Sequence, residues 1–292
     1  MEVYTEDGWR LDVQRLPAVG DPHGAALLLH PMLADRRIWD RPRGRGFAST
    51  LASEGWEVFN ADYRGHGASG PAARAGGIWT YDDLVLYDTP ALVRAVQAEM
   101  GGRPVVVVGH SLGGHVSMAS VGLGNCQPDA MVLLSTSPWT RAFTRSRRAR
   151  LLRGFGVEVY LRLTQVFGYA PAASLHIGTV DEPLPYVEDL YRHWHEGWSS
   201  RDGVDWQRAL ADVQCPVLAV YGRADWVLWP LRSARRWLAH TGSMALEVWE
   251  VGKGDFGLTY TPGHMPLVID QRSRPAWLAI SRWMEETCRS LP

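Results

Sequence analysis

The sequence has few cysteines, a single lysine and no long apolar run. Its three cysteines, Cys126, Cys215 and Cys288, are far apart and belong to no CxxC pair, so we expect free thiols rather than a disulfide framework or a thiolate metal site. No apolar stretch approaches the roughly 20 residues that a membrane-spanning helix needs. The opening MEVYTEDGWR lacks the apolar core of a secretory signal, and we therefore expect a cytoplasmic protein without a membrane span.

The charge of the chain is nearly balanced. Its 30 lysines and arginines face 31 acidic residues, and Lys253 is the only lysine, so almost all positive charge is arginine. A net charge of -1 gives no general attraction to nucleic acid or to anionic membranes, and we predict neither partner. With 292 residues, of which 46% are hydrophobic, the chain is long enough to bury one large core.

Short apolar runs bounded by glycine, proline or asparagine predict the strands of a mostly parallel sheet. They cover 25–30, 56–62, 104–109, 130–135, 216–222 and 245–251. Most are continuous rather than alternating, which is typical of strands covered on both faces. Helical stretches alternate with them, at 45–54, 82–99, 112–121, 231–239 and 275–288. We therefore expect a doubly wound α/β fold, with an antiparallel hairpin at one edge from YTEDGWRLDVQRL and its Asp-Gly turn.

Residues 139–212 break this alternation. They hold no convincing strand, begin with the arginine-rich RAFTRSRRARLLR, and carry apolar residues that need burial. So long a connection between two strands predicts a helical cap, inserted into a core formed by 1–138 and 213–292. The arginines from Arg141 to Arg153 have two open interpretations, the solvated face of the first cap helix or a site for an anionic group of a substrate.

A serine lies between glycines in VVVVGHSLGG, residues 105–114. The motif G-x-S-x-G is typical of a strand that turns at once into a helix, because the turn strains the serine backbone and leaves no room for side chains at the glycines. Such a turn would lift the hydroxyl of Ser111 above the sheet. It would also aim the backbone N–H of Leu112, at the start of the helix, at the position of an oxyanion.

A serine hydroxyl needs a base to become a nucleophile, and the base needs a carboxylate to orient it. In the chain order of a doubly wound fold, both should follow Ser111 on loops after later strands. VYGRAD ends at Asp225 after one late strand, and TPGHM carries His264 after the last strand. Asp255 is a second possible acid, but it is harder to arrange behind the imidazole.

The loop LLHPMLADRR, after the first central strand, is expected to supply a second oxyanion donor. His30 and Pro31 would turn the chain, so that the N–H of Met32 faces the N–H of Leu112. Losing one such donor typically costs roughly 3 to 4 kcal/mol of transition-state stabilisation. We expect His30 and His66 to be structural, because imidazoles often satisfy backbone groups in tight loops.

Tryptophan is abundant, with 14 residues, several of them in the predicted cap or beside Asp225. Trp139 and Trp226 are the candidates for lining a substrate pocket. The alternative, that these side chains pack the cap against the core, stays open.

Together these segments resemble the α/β-hydrolase superfamily. The matching residues are HPM at 30–32, DYRGHGAS at 62–69, GHSLGG at 109–114, GRAD at 222–225 and GH at 263–264. The family commonly has glycine where Pro31 stands, which affects the shape of that loop. The resemblance also implies that the RGHG loop supports the site from the side and performs no chemistry.

The resemblance implies a serine hydrolase of the esterase and lipase type, acting on a small acyl compound without a metal or an organic cofactor. Ser111 would attack the carbonyl, His264 would transfer the proton and Asp225 would hold the imidazole. The same residues could serve an acyltransferase, a thioesterase, a lactonase or a C–C bond hydrolase. A serine at this position argues against haloalkane dehalogenases and epoxide hydrolases. A non-catalytic binding protein on the same fold is the alternative from a different class.

Overall fold

The apolar runs of the sequence form the strands of one large sheet. A computed structural model describes residues 1–144, 147–225 and 231–291. The strands are β1 (Glu2–Tyr4), β2 (Arg10–Leu16), β3 (Gly24–Leu29), β4 (Trp56–Ala61), β5 (Val105–His110), β6 (Ala130–Leu134), β7 (Tyr169–Ala170), β8 (Glu182–Pro183), β9 (Val217–Gly222) and β10 (Leu246–Val251). Within the described residues, eight of them form one sheet in the order β1-β2-β4-β3-β5-β6-β9-β10. From β4 to β10 every neighbouring pair is parallel, and β1 and β2 form the predicted antiparallel hairpin at the edge.

Helices cover both faces of this sheet. They are α1 (Phe47–Ser53), α2 (Tyr81–Asp83), α3 (Thr89–Met100), α4 (Leu112–Gly122), α5 (Arg147–Phe167), α6 (Leu184–Glu196), α7 (Trp206–Ala209), α8 (Leu231–Leu238), α9 (Pro266–Ile269) and α10 (Arg274–Arg289). Side chains of α1, α9 and α10 pack on one face, and those of α3, α4 and α8 on the other. Along β3, Leu27 therefore enters one core and Leu28 the other, which is why the run is continuously apolar. The predicted doubly wound α/β fold is confirmed.

The helix predicted over 82–99 is interrupted. A π-helical turn, Leu84–Asp88, separates α2 from α3, and the N–H of Thr89 bonds to the carbonyl of Leu84, five residues back. The Thr89 hydroxyl donates to the same carbonyl at 2.9 Å. Pro90 has no N–H for a regular helical bond at the next position, so the wider turn is tolerated there.

The segment between β6 and β9 contains α5, α6 and α7, in agreement with its predicted helical character. It also contains a two-stranded antiparallel ribbon of β7 and β8, in which Ala170 pairs with Glu182. The expectation that 139–212 holds no strand was wrong for this ribbon, because two-residue strands are too short to show an alternating pattern. No helix in the described ranges is both long and apolar enough to cross a bilayer. All three cysteines are free, as predicted, and Cys126 is buried.

Candidate active site

Six parallel strands end at the same edge of the sheet. Leu29 of β3 pairs with Gly109 of β5, and His110 of β5 pairs with Leu134 of β6. Further along the sheet, Gly222 of β9 pairs with Val251 of β10. Since the carboxyl ends of parallel strands meet at one edge, the loops that follow these strands lie side by side there.

Ser111 lies in a sharp turn between β5 and α4. Its φ of 52° and ψ of -112° are far from the conformations that residues with side chains prefer. A Cβ on Gly113 would collide with the carbonyl of Leu29, and one on Gly109 with the backbone of Gly114. The glycines are therefore required by the close approach of neighbouring backbone, and the turn fixes the direction of the serine side chain.

Thr136, just after β6, supports this turn from the next loop. Its hydroxyl donates to the carbonyl of Ser111, and its side chain fills the space where a Cβ of Gly114 would lie. The N–H of Ser111 donates to Leu134 at 3.0 Å. Thr136 was not predicted from the sequence, although its position directly after a strand that neighbours β5 was a usable signal.

Asp225 and His264 are brought together from the loops after β9 and β10. Nδ1 of His264 donates to Oδ2 of Asp225 at 2.8 Å. The two loops are fixed to each other because the N–H of Ala224 donates to the carbonyl of Pro262 at 3.1 Å. The Asp225 side chain is 2% exposed and that of His264 11%. With Nδ1 committed to the carboxylate, Nε2 is the ring nitrogen that can take up a proton.

His264 lies beside the turn that carries Ser111. Its ring centroid is 4.8 Å from that of His110, the residue before the serine. Burial, and then the positive charge that His264 can carry, lower the pKa of His110 well below its usual value. His110 therefore stays neutral and does not repel an imidazolium at His264.

The two predicted oxyanion donors follow the paired ends of β3 and β5. In the described part of the chain, neither the N–H of Met32 nor that of Leu112 donates to a backbone carbonyl. Nδ1 of His30 donates to the carbonyl of Pro31 at 2.8 Å, and its Nε2 accepts from the N–H of Tyr63 at 3.1 Å. The Pro31 carbonyl and the Met32 N–H belong to one planar peptide, so His30 helps to orient that N–H.

Three further candidates were the alternative acid Asp255 and the pocket residues Trp139 and Trp226. Asp255 accepts from the N–H of Gly252 at 2.8 Å and pairs with Arg223 at 3.1 Å, whereas the carboxylate bonded to His264 is that of Asp225. Trp139 is partly buried and Trp226 lies outside the described residues.

The arginine-rich segment divides between solvent and interior. Arg147, Arg148 and Arg150 are exposed on α5, as the interpretation of a solvated face predicts. Arg153 on the same helix is buried, with its guanidinium 5.6 Å from the ring centroid of Trp139. Burial lowers the pKa of Arg153, and the charge of Asp225 opposes that shift. One arginine of the segment, Arg153, therefore interacts electrostatically with the loop that carries Asp225.

Sequence comparisons match part of the chain to lipases and related hydrolases. A family model described as serine aminopeptidase, S33, matches residues 33–169. Triacylglycerol lipase 2 of Arabidopsis thaliana is 33% identical over 134 residues, 41% of this chain and 32% of the relative. Human gastric triacylglycerol lipase is 28% identical over 125 residues, 38% of this chain and 31% of the relative. The chain spans about a third of the length of these curated relatives.

Solved structures share the fold over nearly the whole chain. A monoacylglycerol lipase from Paleococcus ferrophilus superposes with a TM-score of 0.61 at 16% identity, covering 95% of this chain and 99% of the other. Est1E from Butyrivibrio proteoclasticus, solved with ferulic acid, gives a TM-score of 0.66 at 15% identity, covering 99% of this chain and 100% of the other. At identities this low, the superpositions establish a common fold and nothing about activity.

Proposed function

We propose that this chain belongs to the α/β-hydrolase superfamily and is a serine hydrolase that cleaves carboxylic esters through an acyl-enzyme on Ser111. The sheet order and the strand–turn–helix around the serine support this reaction class. Matched sequences and structures carry lipase and esterase names, and none of these names favours an acyltransferase, a lactonase or a C–C bond hydrolase. The proposed substrate is a small-molecule ester.

Acylation begins when Ser111 Oγ attacks the ester carbonyl carbon. Nε2 of His264 accepts the hydroxyl proton, and the carbonyl electron pair moves onto oxygen, where the N–H groups of Met32 and Leu112 donate to the charge. The Asp225 carboxylate stabilises the imidazolium. Collapse of the tetrahedral intermediate expels the alcohol, which leaves with the proton from His264, and the acyl group stays on the serine.

Deacylation repeats these steps with water. His264 accepts a proton as the water oxygen attacks the acyl carbon, and the same two N–H groups bind the second oxyanion. Ser111 then leaves with the proton from the imidazolium, and a carboxylic acid is released. The reaction balances with ester and water alone.

The hydrogen bond between Asp225 and His264 is the observation that carries this proposal. It joins two loops that are 39 residues apart in the chain, at the edge that also carries the serine. It selects the tautomer in which Nε2 can act as base, and this is the arrangement that general-base activation of a serine requires.

We further propose that residues 139–212 act as a cap over a core formed by 1–138 and 213–292. The segment leaves β6 at the edge that carries Ser111 and crosses to the start of β9 at the opposite edge, because the two strands are parallel. Arg153 of α5 interacts with the charge of Asp225 and packs against Trp139. Trp139 remains our candidate for lining the acyl pocket, next to Arg153 of α5.

Replacement of the serine tests the proposal. The wild-type protein should hydrolyse p-nitrophenyl butyrate and gain the mass of a fluorophosphonate probe. Ser111→Ala should lose both. Ser120→Ala should keep both, because Ser120 is a buried serine of α4, the helix that follows Ser111. Retained turnover or labelling in Ser111→Ala would refute the assignment, and a wild-type protein inert to both reagents would favour a non-catalytic binder. A panel of p-nitrophenyl esters of increasing chain length, with lactone and thioester substrates, would then define the acyl group.

A further inference from the structure

One buried carboxylate connects the segment between β6 and β9 to the loop after β3. Glu182, in the ribbon strand β8, is fully buried. Its Oε1 accepts from the backbone N–H of Leu33 at 3.0 Å and from Nε2 of His66 at 3.2 Å. Leu33 directly follows the proposed oxyanion donor Met32. This contact joins three parts of the chain at a single atom: the proposed cap, the RGHG loop, and the loop after β3 that carries Met32 and Leu33, here called the oxyanion loop.

The surroundings of His66 favour its protonated, positively charged form. Nδ1 lies 2.8 Å from the carbonyl of Arg64 and Nε2 faces the Glu182 carboxylate, so both ring nitrogens face acceptors and both need a proton. Burial by itself lowers the pKa of His66, but the charge and hydrogen bond of Glu182, the Arg64 carbonyl and the charge of Asp62 together raise it. The neighbouring His30, 4.7 Å away between ring centroids, stays neutral because burial and the charge of His66 lower its pKa to about 3.

The backbone of Leu33 is held on both sides by the same segment. Leu33 has a φ of 59°, in the left-handed region that residues with side chains occupy only when their surroundings hold them there. Its carbonyl accepts from the N–H groups of Thr179 at 2.7 Å and Val180 at 3.2 Å. Gly178 comes so close that a Cβ there would lie 2.6 Å from the Cβ of Leu33. A strained residue next to the donor is thus fixed by its contacts with the proposed cap.

We propose that Glu182 is a positioning residue that fixes the turn at Met32 and Leu33, and so aims the Met32 N–H at the oxyanion. This inference rests on the proposed function, because it concerns the donor that the ester-cleaving site requires. His30 holds the carbonyl side of the donor peptide through Pro31, and Glu182 holds the next N–H along the chain. A hydrogen bond weakens steeply when its angle departs from linearity, so release of either side lowers the stabilisation of the transition state.

Two substitutions of Glu182 and one matched control test this role. Glu182→Ala removes the acceptor, while Glu182→Gln keeps an amide oxygen for the Leu33 N–H and removes the charge that pairs with His66. Asp189→Asn is the control, because Asp189 is also a buried carboxylate of the same segment and accepts from a core N–H, that of Tyr81 at 3.0 Å. That contact is made at α2 instead of the oxyanion loop.

We expect the loss to appear in kcat and not in KM. With p-nitrophenyl butyrate, kcat of Glu182→Ala should fall at least about thirty-fold, approaching the roughly 10²-fold loss of a whole oxyanion donor. KM should stay within about threefold, since the donor acts mainly in the transition state. Glu182→Gln should lose between about three- and tenfold in kcat, and Asp189→Asn less than about threefold.

A tetrahedral analogue supplies a second readout that a purely structural role would leave unchanged. 1,1,1-Trifluoro-2-octanone adds to a serine and carries negative charge on its oxygen, whereas 2-octanone only occupies the site. Glu182→Ala should weaken inhibition by the fluorinated ketone by about the same factor as kcat falls. Inhibition by 2-octanone should not change.

A folded Glu182→Ala protein whose kcat stays within about threefold of wild type overturns the positioning role, as does an equal loss in Asp189→Asn. If circular dichroism shows that Glu182→Ala does not fold, Glu182→Gln decides: a lowered kcat supports the role, and an unchanged kcat overturns it. Failure of the proposed function is read separately, from turnover that persists in Ser111→Ala.

Discussion

Mild acid should destabilise this protein strongly, because three buried histidines are held neutral. Burial lowers the pKa values of His30, His115 and His193 to about 3 each, from an ordinary value of 6.5. His115 stacks on Tyr81 with ring centroids 5.7 Å apart, and Nε2 of His193 bonds to the carbonyl of Ser199 at 2.9 Å. None of the three takes up a proton near pH 6 until the chain unfolds.

The direction and the magnitude of this loss of stability follow from proton linkage. A base whose folded pKa is lowered binds fewer protons in the native state, so stability is lost as pH falls below 6.5 toward 3. Between pH 6.5 and 5.5 each such histidine costs about 1 kcal/mol, so the three together cost about 3 kcal/mol. His110, whose pKa is also lowered, adds to the loss. His66 is protonated in the folded state over this range because its pKa is raised, and it opposes the loss only slightly.

Urea denaturation at pH 6.5 and 5.5 measures this difference in the free energy of unfolding. His115→Phe should reduce this difference by about 1 kcal/mol, roughly a quarter of the loss from the four buried neutral histidines, while His195→Gln, at an exposed position of α6, should leave it unchanged. The comparison between pH values does not depend on how each substitution changes the baseline stability. A wild-type loss below about 1 kcal/mol, or an equal effect of the two variants, would show that the buried rings take up protons without unfolding.

Two further predictions concern the site and its packing. Asp225→Asn should lower kcat for p-nitrophenyl butyrate by about 10⁴-fold, since the amide favours the wrong tautomer of His264. The control Asp255→Asn should change kcat by less than about twofold. Similar losses of kcat in both variants would contradict the assignment of Asp225 as the acid. Gly113→Ala should cost about 2 to 3 kcal/mol in urea denaturation, because its Cβ would collide with the Leu29 carbonyl. Gly156→Ala, in a helix position with open space around the added Cβ, should instead add about 0.5 to 1 kcal/mol, and a Gly113→Ala protein as stable as wild type would contradict the close packing of the turn.

The fold was predictable because a strand between two helical layers must be apolar at every position. β5 has four consecutive valines, Val105 to Val108, that alternate between the two cores, and no solvated strand tolerates such a run. The turn at Ser111 was predictable for a steric reason, since Gly109 and Gly113 lie where backbone passes too close for any side chain. The π-helical turn at Leu84–Asp88, just before Pro90, was not predictable, because proline is tolerated in the first turn of a helix and the sequence does not show that a new helix begins there.

The core loops and the segment 139–212 differ in how their residues reach the site. Asp225 and His264 follow β9 and β10, which are neighbouring parallel strands, so the loops that carry them meet at one edge of the sheet. Glu182 is 149 residues from Leu33 and 116 from His66, in a strand too short to have a pattern. A buried carboxylate needs partners, but in the sequence it looks like any solvated glutamate. If Glu182 aims the oxyanion donor, substitutions in this segment can change the rate of acylation while Ser111, His264 and Asp225 keep their geometry.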